Sequence, residues 1–246
     1  MNLASWTSKE TWFDDFAFHA RFTPAVCALC PILLFTLTKI DWNIRNLSIS
    51  FFLFIVIAYF ISKVVRERGK KVEQNMYKKL GAMPTTIIMR FSDNHIDAIS
   101  KRRYHEILRR HFKIDLPLVG EYETKDSDEL YAAAMNQLRI WANNNRDIAP
   151  RVYTELKEYN FWRNLYGMKT SSLILYVFLI ISELYRIFTI DRAAPTLGLV
   201  FSKQFCSVWI LLISAILAFA LVKKSTVQQR AFDYAKALIE SCTQII

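Results

Sequence analysis

The chain has 246 residues, 53% of them hydrophobic and 22% charged, with a formal net charge of +10. Its mean hydropathy of +0.16 comes from a few long apolar blocks, with the charges gathered between them. That segregation excludes a disordered chain, a disulfide-rich secreted domain and a collagen-like fibre, and it points to a membrane protein with a sizeable aqueous part. Five glycines in the whole chain argue against glycine-rich phosphate loops, and so against most nucleotide-hydrolysing folds.

Residues 1–22 form an N-terminal segment carrying Trp6, Trp12, Phe13, Phe16, Phe18 and Phe22. Such aromatics suit an interfacial helix, or equally one packed on a domain core. A spanning helix needs about 20 mainly apolar residues, and four stretches approach that. Thr23 to Thr38 and Asn46 to Ser62 carry no charge and make a first hairpin over 23–63. Both are short, so Lys39 and Lys63 are expected to snorkel to the interface. Thr170 to Ile190 and Gln204 to Val222 make a second hairpin over 170–222. The first hairpin is read as retained rather than as a signal peptide, because Glu10, Asp14 and Asp15 precede it and no small-residue cleavage site follows. Pro31 falls in the middle of the first span and predicts a kink or one lost backbone bond.

Cations decide the orientation. Arg66, Arg68, Lys70 and Lys71 follow the second span, Arg163 and Lys169 precede the third, and Lys223 and Lys224 follow the fourth. Both termini and the middle segment are therefore expected on the cytoplasmic side, with membrane lipid as a partner.

The middle segment, 64–169, reads as a basic helical cytoplasmic domain. Ser92 or Asp93 caps a helix to about Phe112. Pro117 and Gly120 break the chain. Asp126 or Ser127 caps a second helix ending near Asn143 to Asn145, and Pro150 opens a third that Gly167 closes. The stretch TTIIMRF before the first helix reads as extended chain. The whole is expected to be all-α: four transmembrane helices, a helical cytoplasmic domain and, over 223–246, an amphipathic tail helix. The tail stripe Val227, Ala231, Tyr234, Leu238 and Ile245 suits docking on the domain or bundling between copies.

Charge within the domain is split. Lys63 to Lys113 holds 14 Lys and Arg against 5 Asp and Glu, whereas Asp115 to Glu129 holds 6 acidic residues and 1 basic. In KRRYHEILRRHFK, Arg102, Arg109 and Lys113 fall within about 20° of one line on a helical projection, with Arg103 and Arg110 adjacent. Tyr104, Ile107, Leu108 and His111 take the opposite side. Those five cations make the candidate ligand-binding stripe, able to hold phosphates. The ordinary alternative is a solvated helix face, tempered by Glu106.

Catalytic chemistry is harder to find. Cys27 and Cys30 are spaced C-x-x-C, but inside an apolar span with no second ligand pair. His105 and His111 do not share a helix face. Arg90 and His95 match the R-x4-H spacing of HEPN-type ribonucleases, which makes a membrane-tethered ribonuclease the enzymatic alternative. No Ser/His/Asp set, phosphate-loop motif or cofactor motif is present, and no enzyme or cofactor is expected. Within the third span Glu183 and Arg186 lie at i, i+3 and can pair. Glu183 is deep enough to be the candidate pore-lining carboxylate.

Four spans around one basic domain without a catalytic set resemble membrane effectors of bacterial anti-phage systems. The layout is most similar to the channel-type effector of Hailong-like systems, in which a nucleotidyltransferase partner makes an oligonucleotide that controls the channel. The resemblance is one of architecture over the whole chain and carries over no functional residue. It implies a homo-oligomeric channel and an anionic nucleotide or oligonucleotide ligand for the basic domain. A non-conducting anchor that recruits a partner through the acidic stretch or the tail is the other reading.

Overall fold

The computed structural model describes residues 15–118, 125–191, 197–202 and 205–245. Among them the chain is helical throughout, with no strand. The sequence expectations at Trp6, Trp12 and Phe13, at Gly120 and at Gln204 lie outside the described residues.

Besides the short helices Asp15–Ala17 and Leu197–Val200, the helices are α1 Thr23–Leu37, α2 Ile44–Leu80, α3 Pro84–Ile87, α4 Ala98–Phe112, α5 Lys125–Asn144, α6 Pro150–Tyr185, α7 Cys206–Leu221 and α8 Lys224–Glu240. A π-helical turn, Phe18–Phe22, leads into α1, and another, Arg186–Ile190, follows α6. Three stretches are long and apolar enough to cross a membrane: Asp15–Leu37, Ile44–Ile87 and Pro150–Ile190. The 16-residue α7 makes a fourth only when taken with the helix that follows it.

The chain divides into two compact units. The apolar unit comprises Met1–Val72 and Asn160–Lys224, and the polar unit Glu73–Tyr159 and Ser225–Ile246. Two of the three boundaries fall inside the continuous helices α2 and α6, and the third at the first residue of α8.

In the apolar unit, α1 packs against α7, and Ala25, Ala28, Val65 and Met168 are buried together with Ile61 against them. Ala25 and Ala28 keep α1 thin where Ile61 and Val65 of α2 and Met168 of α6 meet it. Polar side chains on α6 fasten the bundle from within. Tyr176 donates its hydroxyl to Ala28 O at 2.5 Å, and Asn164 donates to Ala20 O at 2.5 Å. The helices α2 and α6 touch backbone to backbone. A Cβ on Gly167 would lie 2.9 Å from Arg68 C and from Gly69 N, and one on Gly69 would lie 1.8 Å from Asn164 Oδ1. Gly167 therefore does not end a helix as its sequence context suggests. The helix runs through it to Tyr185, and the missing side chain serves a crossing. At the end of α7, Lys169 donates to Phe219 O at 3.2 Å and Val222 O at 2.8 Å, satisfying carbonyls the helix leaves open.

The polar unit is built on α3, α4, α5 and α8, with the end of α2 and the start of α6. Tyr131, Met135 and Leu138 of α5, Leu108 of α4 and Leu238 of α8 form its buried interior. The tail stripe is buried as its periodicity demands at Val227, Ala231, Tyr234 and Leu238. Two local expectations are corrected. TTIIMRF is not extended: Pro84 starts the one-turn helix α3, and Thr85, Thr86, Ile88 and Met89 are all buried. Burial at successive positions erases both the strand and the helix period. The cap of α4 is Asp97, whose side chain accepts from Ser100 N at 2.8 Å, rather than Ser92 or Asp93. Asp93 is engaged elsewhere, as described below.

Candidate functional site

Three groups of residues carry the polar chemistry, one in the apolar unit and two in the polar unit.

In the apolar unit the charges meet at Glu183. Its side chain is 4% exposed and accepts from Lys39, from Arg186 Nη2 at 2.7 Å and Nε at 3.3 Å, and from Ser207 Oγ at 3.3 Å. Arg186 also donates to Asp191 Oδ2 at 2.7 Å. The i, i+3 spacing on α6 brings Arg186 to Glu183 as the sequence suggests. Lys39, from the turn after α1, and Ser207, from the first turn of α7, come from parts of the chain that no local pattern connects. The group thus ties α1, α6 and α7 together, with four donor contacts compensating the burial of one carboxylate. Within a single chain Glu183 is enclosed, and the accessible members are Lys39 and Arg186, with side chains 31% and 38% exposed.

The cationic stripe on α4 survives only in part. Arg102 and Arg103 are exposed. Arg110 pairs with Glu106 one turn away. Arg109 is half-buried, donates to Leu116 O and lies 3.9 Å from Asp115. Lys113 is not on the helix face: it is the C-cap, with φ 55° in the left-handed region, so its Cα leaves the helical line. His111 is exposed rather than on the apolar side. The side chains actually buried on α4 are Lys101, His105 and Leu108.

Lys101 is the residue that sequence reasoning missed. Its side chain is 1% exposed and its ammonium donates to Arg90 O and Asp93 O, each at 2.6 Å. His105, one turn further along the same face, bonds Met89 O through Nε2 at 2.9 Å and packs on Phe91 and Tyr131. Burial pushes its pKa down to about 4, so it is a neutral core residue at pH 7. Together these two side chains fold residues 89–97 over α4.

That fold brings the R-x4-H pair into one cavity of about 670 Å³, which both Arg90 and His95 line. They are not free to act as the spacing suggests. Arg90 makes a two-pronged bond to Asp128 at 2.8 and 2.6 Å. His95 Nδ1 bonds Asp93 Oδ2 at 2.7 Å, and its ring stacks on Phe232 at 4.2 Å between centroids.

The cysteines offer no site. Cys27 and Cys30 lie on α1 as free thiols, and burial pushes Cys242 up to about 12, far from the range of a reactive thiolate. Among the described residues no three His, Cys, Asp or Glu side chains gather to hold a metal. Comparisons with family models, with curated proteins and with solved structures give no match to the chain, so function has to be read from these groups themselves.

Proposed function

We propose that the chain is a multi-pass protein of the bacterial inner membrane whose copies assemble into a channel or membrane-perturbing effector, controlled by an anionic nucleotide or oligonucleotide ligand at the basic cytoplasmic domain. The observation that supports it most is the poor internal cover of the apolar helices. Only 11% of the most apolar window of α2 and 17% of that of α6 are buried within the chain. Phe51, Phe52, Leu53 and Phe60 on α2 and Phe178 and Ile181 on α6 are exposed. Those faces call for lipid and for neighbouring copies, while the charged residues turn inward around Glu183. A polar path between copies would then meet Lys39 and Arg186, with Glu183 holding both in place.

The control site in this reading includes the exposed Arg102 and Arg103 and, at the far end of α4, Arg109, Arg110 and Lys113. Anti-phage defence, and a nucleotidyltransferase that supplies the ligand, follow from the layout of spans and domain rather than from any residue. Purified protein in neutral liposomes tests the proposal: ion efflux that changes on adding a short oligonucleotide supports it. Tight membrane association with no efflux, in the presence or absence of the oligonucleotide, replaces it with the non-conducting anchor.

A further inference from the structure

The cavity that holds Arg90 and His95 lies wholly within the polar unit, between the end of α2, α3, the loop before α4, and α8. One face of α8 is buried in the core through Val227, Ala231, Tyr234 and Leu238. The opposite face, at the i, i+3, i+4, i+7 spacing, places Ser225, Gln228, Gln229 and Phe232 on the cavity wall. Every formal charge on that wall has a partner from the chain. Arg90 is held by Asp128, Asp93 by His95 and by Lys101 at 3.9 Å, and Asp233 lies 3.8 Å from Arg230. The side chains of Ser225, Gln228 and Gln229 have no hydrogen-bond partner among the described residues. They offer one hydroxyl and two carboxamides, each with donor and acceptor capacity.

His95 adds a directional polar atom. Its Nδ1 bonds Asp93 Oδ2 at 2.7 Å, which leaves Nε2 as the ring nitrogen open to a ligand. The imidazole stacks on Phe232, 3° from parallel, and its side chain is 48% exposed, so the ring is held flat with aromatic surface still accessible. A cavity of about 670 Å³ is within the usual range for small-molecule sites. Paired charges disfavour a phosphate here, whereas accessible aromatic surface and unpaired amides favour an uncharged planar ring with a hydrogen-bonding edge.

We propose that this cavity binds a nucleobase, its edge read by Ser225, Gln228, Gln229 and His95 and its plane set against the His95–Phe232 pair. Carboxamide side chains are suited to such edges because they match a donor and an acceptor at once. The proposal deepens the ligand-controlled reading, in which the phosphates of the same ligand remain outside the cavity.

The test is equilibrium binding of adenosine, guanosine, cytidine and uridine to the full chain in neutral detergent, with inorganic phosphate as competitor. Wild-type protein should bind at least one nucleoside, phosphate should not compete, and Gln228→Ala with Gln229→Ala should weaken binding by about tenfold or more. Both glutamines are at least partly exposed, so unchanged thermal unfolding of the double variant is expected and confirms that it folds. If no nucleoside binds, or the double variant binds as wild type does, the cavity is not a base site. A short oligonucleotide separates this from the control reading. Binding lost on Arg102→Gln with Arg103→Gln but kept in the glutamine variant overturns the cavity and leaves ligand control standing. Nucleoside binding that needs the glutamines, alongside ion efflux indifferent to any nucleotide, upholds the cavity and removes ligand control.

Discussion

The two units share side chains that bond backbone carbonyls, as Tyr176 and Lys101 do, and differ in how they hold their most buried charge. In the apolar unit, Glu183 collects Lys39, Arg186 and Ser207 into one enclosed group, while large apolar side chains such as Phe52 and Phe178 face outward. In the polar unit the apolar side chains are inside, and the buried polar groups act singly on backbone carbonyls: Lys101 on Arg90 and Asp93, His105 on Met89. In the proposed membrane setting the difference follows from what surrounds each unit. Beside hydrocarbon a buried charge gains from an opposite charge, as Glu183 does, or from carbonyls a helix leaves open, as Lys169 does. Where water is outside, a buried cation is tolerated only when it replaces water at carbonyls that would otherwise go unpaired.

The largest expected effect is at Lys101. Lys101→Ala leaves the Asp93 carbonyl without this donor and the Arg90 carbonyl with Asp93 N alone at 3.2 Å; with about 1–3 kcal/mol for the unsatisfied group and the space emptied by a fully buried stem, the loss is about 2–5 kcal/mol. Unfolding of the detergent-solubilised chain should show the polar unit melting early. A variant as stable as wild type would mean that water serves these carbonyls equally well, and the contrast between the units would fail.

Acid should act on the polar unit through His105. Its folded pKa, about 4, lies below the ordinary 6.5. Between those values the unfolded chain binds a proton that the folded chain refuses. Stability is therefore full above about pH 6.5, falls as the pH drops, and has lost roughly 3 kcal/mol by pH 4. Thermal unfolding from pH 7 to pH 4 checks this, and His105→Phe should flatten that part of the pH dependence.

At the crossing in the apolar unit, Gly167→Ala should cost about 1–3 kcal/mol, against a helix-propensity gain of about 1 kcal/mol. The added Cβ meets Arg68 C and Gly69 N, both backbone, at 2.9 Å, so no side chain can move aside. A stabilised variant would mean that α2 and α6 do not touch there. The smallest effect belongs to the exposed pair of Arg110 and Glu106. Arg110→Gln should change stability by less than about 0.5 kcal/mol, and a larger change would mark that pair as structural.

How much of this could be read from the chain depends on how local each cause is. The tail stripe at Val227, Ala231, Tyr234 and Leu238 was legible because one helix buries it by period alone. The Glu183–Arg186 pair was legible because its partners are three residues apart. Lys39 joins them from 144 residues away, and nothing near it announces that. Lys101 belongs by composition to a cationic run, and its burial is set by carbonyls 11 and 8 residues upstream. Gly167 looks like a helix end because a terminal glycine and a crossing glycine leave the same mark in sequence. The polar face of α8 was hidden beside its apolar stripe, and only the loop that carries His95 turns Gln228 and Gln229 into a cavity wall.

In the channel reading proposed above, copies of this chain form an ion path past the cluster that Glu183 organises. Recording from planar bilayers in a salt gradient tests it most directly, by comparing the reversal potential of wild type with that of Lys39→Gln and Arg186→Gln together. The account predicts discrete conductance steps in wild type and a reversal potential that moves toward cation selectivity when the two cations are neutralised. No conductance, or a conductance whose reversal potential is unmoved in a variant that still assembles, would contradict it.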